Sequence, residues 1–572
     1  MTSRVTDPDD AGSIRIRPGA IQALCLVAGV VLAAFAEAIA STVLSMARLD
    51  MIGDTYATPD ELAILDAGYT AAKLTAFVST PWLMGRLSPQ VCLRAATGIM
   101  ALVCGAAALT SNLDTLVGLR LLQGLAGGAL LVSAQTLLLQ TFPRWIQPVV
   151  QCLFAIGAVV APATLAPYMQ GWLLDSLSWT WIFLSIVPIG LTALALLAST
   201  DLGADARIRA VRLDWLGLAL FAIAAFCLTY ILSQGSRWNW FQEPFIVLLA
   251  LAGVASLILL IIYQLYTTRA DTLLDLSVFR NDGFAFGFIA SFAAGFALFG
   301  SAYLIPSFAI SVLRMTPSEA GMLLLPSSLM FIGALLLTTL LVQRLELPPI
   351  ITVPIGVLGF IVAMWMLSGS NSESGIPDLM PAVLLRGLAL GFLFLSITLI
   401  TLLDLRGSAI AYGVGLFNTG RQTGGLLGVA LLETLIDHHT ALNRAVLAAH
   451  IVPGRVAVTE QLDMITRQLA ARGMEVSAAA KAAVQMLVAQ VSAQASIIAF
   501  DAAFLTVALF FFAAAPILIG AKIIIGRTAG AQPAPYQQWE KENVRCECVA
   551  RGASGDIERG SHRDAEPARQ DR

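Results

Sequence analysis

The sequence predicts an all-α integral membrane protein, with 14 transmembrane helices in two six-helix bundles plus an inserted helix pair. Three observations predict it. Of 572 residues, 58% are hydrophobic and 12% charged, and the mean hydropathy is +0.80, far from the balance of a soluble domain. Apolar runs of about 20 residues recur along the chain, the length a helix needs to cross the hydrocarbon layer. Two of those runs carry related strings, Gln123-Gly-Leu-Ala-Gly-Gly128 and Arg386-Gly-Leu-Ala-Leu-Gly391, each leading to a serine (Ser133, Ser396) at the same offset.

The predicted spans are roughly 20–47, 62–85, 92–111, 115–139, 146–172, 181–200, 214–233, 243–265, 284–312, 318–343, 349–369, 378–404, 409–436 and 497–524. They divide into an amino-terminal segment 1–19, a first bundle 20–200, an inserted pair 213–266, a second bundle 280–526 and a tail 527–572. The two related strings then fall in the fourth span of each bundle. That predicts halves related by an axis along the membrane normal, with a cavity between them. The other reading is two helix faces that share small residues for packing. Ten arginines, including Arg86, Arg94, Arg144, Arg280, Arg344 and Arg406, fall in one set of short loops; three (Arg48, Arg237, Arg314) fall in the other. The excess predicts both termini on the cytoplasmic side.

The polar loop 437–496 is then outside. Val458, Leu462, Ile465 and Leu469 share a helical face, Gly473 breaks the run, and Ser477 is placed to cap a second helix carrying Val484, Leu487 and Val491. The tail is rich in charge and predicted to be disordered. The first apolar run is too long for a cleaved signal and is predicted to be a retained span. Five cysteines lie in or beside spans as small hydrophobes; Cys546-x-Cys548 in the tail is too short a pattern for a metal site.

Glu37 is the sole charge between Ile21 and Met46. A carboxylate at such depth costs roughly 2.5–3.5 kcal/mol on insertion scales and marks a functional position by default. Glu37 lies about ten residues from the outer end of its span, and Lys73 about eleven from the outer end of its own. At about 1.5 Å per residue they sit at similar depth. Two readings stand: a fixed ion pair that solves the burial of both charges, or a proton switch in which Glu37 protonates and releases Lys73. Asp66 and Thr70 share the Lys73 face. Arg120, Arg386 and Arg421 are each in a span; each reads equally as a pathway group or as a structural cation bonded to neighbouring helices. Tyr69, Phe35, Phe296 and Phe417 are candidate cavity aromatics, and Pro162, Pro167 and Pro326 predict bends. The histidines all lie outside the spans, so coupling across the membrane falls to carboxylates and basic groups.

Several strings together resemble the 14-span drug:proton antiporters of the major facilitator superfamily, the EmrB/QacA type. They are Arg120-Leu-Leu-Gln123-Gly124, Trp179-Thr-Trp181-Ile-Phe183 with Val187-Pro188-Ile-Gly190, Leu213-Asp214-Trp215-Leu-Gly217, Leu273-Leu-Asp275-Leu, and Asn418-Thr-Gly-Arg421-Gln-Thr-Gly-Gly425. The resemblance covers about 20–525. It implies that fold, an acid in the first span, which Glu37 preserves, and an aid to proton movement from Arg120; with Lys73 these are the candidate proton-coupling groups, and Asp66, Tyr69, Gln123, Arg386, Asn418 and Arg421 are candidate pathway residues. Gly124, Gly128, Pro162, Pro167, Gly171, Gly387, Gly391 and Gly425 are candidate gating or packing positions. Two strings depart from the family. The loop between spans 2 and 3 keeps Leu83 and Arg86 but lacks the usual carboxylate, and the span 5 motif reads Ala166-Pro167-Tyr-Met-Gln170-Gly171.

The implied work is efflux of a hydrophobic or amphipathic small molecule in exchange for protons, from the cell inner membrane. Alternatives are a dedicated metabolite exporter, an uptake symporter, or an inner-membrane subunit whose 437–496 loop docks a periplasmic adaptor. A net charge of −3 gives no basic excess for nucleic acid. No phosphate-binding Gly-x-x-x-x-Gly-Lys-Ser/Thr string occurs, and no nucleophile–base or metal-ligand cluster falls in the spans, so no enzyme and no cofactor is predicted.

Overall fold

The computed structural model describes residues 19–200, 213–266, 274–451 and 455–528. The segment 1–18, Arg207, Arg209, Arg212 and Arg269, and the tail with Cys546 and Cys548 lie outside the described residues. Residues 1–518 form one compact unit; the described part of a second, 519–572, is the end of the last helix.

The helices are α1 Ala20–Thr55, α2 Pro59–Leu87, α3 Pro89–Ala108, α4 Leu113–Thr141, α5 Gln147–Ala155, α6 Ala166–Ser176, α7 Trp179–Ala198, α8 Trp215–Gln234 and α9 Pro244–Tyr266. They continue as α10 Asp282–Ser311, α11 Pro317–Arg344, α12 Thr352–Leu367, α13 Ile376–Leu402, α14 Ala409–Ala449, α15 Val456–Ala471 and α16 Val476–Thr528. Among the described residues, 12 stretches are long and apolar enough to cross a membrane. Polar groups such as Lys73 and Asp66 on α2, and Asn418 and Arg421 on α14, keep those two helices out of that set. Yet α2 packs on α4, and α14 on α10, inside the bundle. Counting them gives the 14 spans consistent with the sequence.

The two halves are built alike from their caps inward. Thr58 caps α2, accepting the Glu61 N–H while Glu61 accepts the Thr58 N–H at 2.8 Å. Thr316 and Glu319 repeat this at α11, again at 2.8 Å. Both boxes satisfy amides that a helix start leaves open. The far ends match as well: Arg86-Leu87 precedes Ser88 with φ +68°, and Arg344-Leu345 precedes Glu346 with φ +51°. Between the ends, α4 packs on α2 and α13 on α11 through the related glycine strings. A Cβ at Gly124 would stand 2.2 Å from Tyr69 O, and one at Gly128 2.5 Å from Lys73 O. At Gly387 it would stand 2.1 Å from Ser327 O, and at Gly391 2.6 Å from Phe331 O. Backbones approach this closely only where side chains are absent.

The inserted pair lies beside the first bundle. Asp214 caps α8 by accepting the Gly217 N–H at 2.8 Å, which gives the Leu-Asp-Trp-Leu-Gly string a local meaning. α8 leans on α2, where Thr229 Oγ1 donates to Ala67 O at 3.2 Å. α9 exposes Leu248, Leu251, Val254 and Leu259, a surface suited to lipid.

Three expectations are corrected. α1 continues past residue 47 to Thr55, and Asp54 of its last turn accepts the indole N–H of buried Trp179 at 2.7 Å. The loop 437–496 does not hold two separate helices: α14 runs on to Ala449 and α16 begins at Val476, leaving α15 as the sole independent helix there. Ser477 lies inside α16 with its hydroxyl on Glu475, not at a cap. No breaker stands between Gly473 and the last span, so the 53-residue α16 forms without interruption. At about 1.5 Å per residue it is far longer than a bilayer is thick. The bend around Pro162 takes the form of a π-helical segment, Ile156–Leu165, between α5 and α6, with Pro167 opening α6. Proline lacks the N–H that an α-helix needs, and the wider turn absorbs the loss.

Two glycines separate packing from mere smallness. At Gly171 the nearest atom to a Cβ is Ser318 Cα at 3.8 Å, an ordinary contact. Gly124→Ala is expected to lower unfolding stability by about 1–3 kcal/mol, and Gly171→Ala to stay within about 0.5 kcal/mol. Thermal unfolding of both variants in nanodiscs checks this; equal losses would contradict the packing account.

Candidate functional site

Glu37 is 1% exposed and Lys73 6%. Lys73 Nζ lies 2.5 Å from Glu37 Oε1, and Tyr69 Oη donates to the same oxygen at 3.0 Å. Tyr69 and Lys73 are four residues apart on α2, so one turn presents both to α1. Arg120 of α4 lays its guanidinium over the Tyr69 ring, 4.3 Å from the centroid. Its Nη1 donates to Ala40 O at 2.8 Å and to Gln123 Oε1 at 3.0 Å. Arg120 Nε and Nη2 and Gln123 Nε2 are buried without an acceptor, so part of the cluster's donor capacity is unused. Asp66, half-buried on α2, makes no hydrogen bond to the pair among the described residues.

Two residues that the sequence did not single out complete this site. Gly127 gives the carboxylate room: a Cβ there would stand 3.1 Å from Glu37 Cγ and 3.3 Å from Tyr69 Oη. Gln170, in the altered span 5 motif, is fully buried and donates to Ile39 O at 2.8 Å and Thr42 Oγ1 at 2.9 Å. It ties α6 to the turn of α1 beside Glu37. An amide inside an apolar run was the signal available for it.

The second bundle does not repeat the chemistry. Counting from the capping threonines, Tyr69 corresponds to Ser327 and Lys73 to Phe331; in the glycine strings, Gln123 corresponds to Arg386. Arg386 is 1% exposed and donates to Ser301 Oγ at 2.7 Å, Ser327 Oγ at 3.4 Å and Leu298 O at 3.5 Å. Its partners are hydroxyls and a carbonyl rather than a carboxylate. Arg421 of α14 lies 5.7 Å from the Phe417 ring centroid and 5.9 Å from that of Phe394, and donates to Asn418. Asn418 is 1% exposed and bonds across to Gln135 of α4 at 3.0 Å. Phe296 stacks on Phe510 at 4.7 Å, which makes it a packing residue rather than an open cavity wall. Gly425 packs on Phe299, where a Cβ would stand 2.2 Å from the ring. Arg86 is exposed at the end of α2, its guanidinium 4.9 Å from the Trp82 ring centroid.

Residues 26–429 match the model of the Major Facilitator Superfamily. That is well over half of the chain, and the chain belongs to this superfamily. Among curated proteins it is similar to the multidrug export protein EmrB of Haemophilus influenzae, 27% identical over 77% of this chain and 85% of that protein. EmrB of Escherichia coli K12 is 24% identical over 74% of this chain and 82% of its own length. The fatty acid resistance protein FarB of Neisseria gonorrhoeae is 24% identical over 76% and 85%.

Removing one partner of a buried ion pair strands the other charge. Lys73→Met is therefore expected to destabilise the protein by about 3–5 kcal/mol. Glu37→Gln together with Lys73→Met is expected to cost less than the sum of the single changes. Unfolding in nanodiscs measures the cycle; additive costs would show that the two groups do not interact.

Proposed function

We propose that this chain exports hydrophobic or amphipathic small molecules in exchange for protons, with Glu37 as the group that gains and loses the proton. The observation that carries the reading is the buried Glu37–Lys73 pair with the Tyr69 hydroxyl on the same oxygen. Protonating Glu37 removes the charge that balances Lys73. The pair then loosens, and the arrangement of α1 against α2 and α4 is biased toward another state. Arg120 and Gln123 fix the α1 backbone at Ala40 beside that switch. The second bundle supplies Arg386 and Arg421 as charges with no ion-pair partner among the described residues. Each inward proton supplies about 2.3 kcal/mol per 100 mV of membrane potential to the exchange.

Export is supported by the names of the similar proteins, two multidrug export proteins and a fatty acid resistance protein. The arginine distribution supports a multi-pass inner-membrane placement with both ends of the chain cytoplasmic. In that orientation the end of α14, α15 and the start of α16 project outward. This projection favours a second, compatible reading, in which a periplasmic adaptor docks there.

Glu37→Gln is expected to abolish substrate-driven proton release from liposomes containing equal amounts of folded protein, with an unfolding temperature lowered by the stranded Lys73 charge. Unchanged proton release would exclude Glu37 as the coupling group. Replacing 450–475 by a short flexible linker is expected to leave transport in liposomes intact and to lower drug tolerance of whole cells. Full tolerance would remove the adaptor reading.

A further inference from the structure

A line of buried amides crosses from one bundle to the other, away from Glu37. Asn418 on α14, Gln135 on α4, and Gln147 and Gln151 on α5 are each 1% exposed. Gln147 Nε2 donates to three carbonyls where α4 ends: Leu138 O at 3.1 Å, Leu139 O at 3.3 Å and Phe142 O at 2.8 Å. Gln151 Nε2 donates to Gln147 Oε1 at 3.3 Å, and Gln135 Nε2 to Gln151 Oε1 at 3.3 Å. Asn418 Nδ2 donates to Gln135 Oε1 at 3.0 Å and to Val414 O at 2.9 Å. Arg421 closes the line by donating to Asn418 Oδ1.

The direction of this line is dictated at its ends. Carbonyls accept only, so the Gln147 amide must turn its NH2 group to the end of α4. Its oxygen is then left for Gln151, and the same choice passes to Gln135 and Asn418. The last oxygen must face a donor, and a guanidinium stands there. The negative end of α4 and the Arg421 cation thus fix opposite ends of one ordered chain of dipoles.

Only the Asn418–Gln135 link of this chain joins α14 of the second bundle to α4 of the first. Around it, this end of the molecule is shut: α14 packs on α2 and α4, and α11 and α13 pack on α5. Thr339 Oγ1 donates to Pro148 O at 3.4 Å and Gln343 Nε2 to Trp145 O at 2.9 Å, both also between the bundles. A path to this end requires α14 to leave α4, and that movement must break the Asn418–Gln135 bond.

We propose that Gln135 and Asn418 are the positioning residues of a neutral latch. The latch closes the bundle at the end where α4 stops and α5 starts, and through Asn418 it sets the orientation of Arg421. A bond between two amides is weak enough to exchange during a transport cycle, yet leaving either amide buried and unpaired is costly. Such a latch is reversible, and neither amide takes up or loses a proton. The proposal rests on the two-bundle transporter fold and not on titration of Glu37, so the two stand or fall separately.

Full-length protein in nanodiscs, with spin-labelled non-cysteine amino acids replacing exposed Arg144 and Arg406, reports the separation at this end. Gln135→Leu and Asn418→Leu are each expected to raise the population of the longer distance by roughly three- to tenfold, the effect of one lost hydrogen bond. The double variant is expected to go no further than either single one. Asn418→Asp, which keeps the size but cannot donate to Gln135, is expected to open this end as the leucine variants do. Distances like the parent's in Asn418→Asp, or effects that add in the double variant, overturn the latch.

Discussion

The centre of the first bundle is arranged around one constraint: the acid Glu37 and the base Lys73 are both buried, 2.5 Å apart. Neither can stand alone at that depth without a cost of several kcal/mol. The Tyr69 hydroxyl supports the shared oxygen, Gly127 leaves it space, and Gly124 and Gly128 bring α4 against the turns of α2 that carry Tyr69 and Lys73. Arg120 and Gln170 hold α1 from two other helices by its carbonyls at Ala40 and Ile39. The packing is therefore the condition for the charge pair.

The second bundle shows what remains when that constraint is lifted. Its caps, its chain reversals and its glycine contacts follow those of the first. At the place of Lys73 stands Phe331, at the place of Tyr69 stands Ser327, and Arg386 is satisfied by hydroxyls and a carbonyl. The backbone plan is duplicated while the titratable chemistry is not.

The spans were readable because apolar run length reports directly on the hydrocarbon layer. Helix ends were not, because hydropathy marks where lipid contact stops rather than where backbone bonding stops; α1 and α16 both continue through polar residues. The Glu37–Lys73 pair was readable from depth alone. Gly127 and Gln170 were not, because their roles depend on the register of α4 and α6 against α1. The amides at Gln135, Gln147 and Gln151 are single polar residues in apolar runs on two helices, and only packing lines them up. One signal was present and unused. Thr58-Pro-Asp-Glu61 and Thr316-Pro-Ser-Glu319 are matching capping boxes, and they fix the register of the two halves without any structure.

The central claim is that Glu37 changes protonation when substrate binds. Infrared difference spectroscopy on the protein in lipid, with and without a transported compound, observes this group directly. The account predicts a protonated-carboxyl band that is lost on adding substrate and is absent altogether in Glu37→Gln. A carboxylate that stays ionised in both states would contradict it, and would leave the Glu37–Lys73 pair as a structural element only.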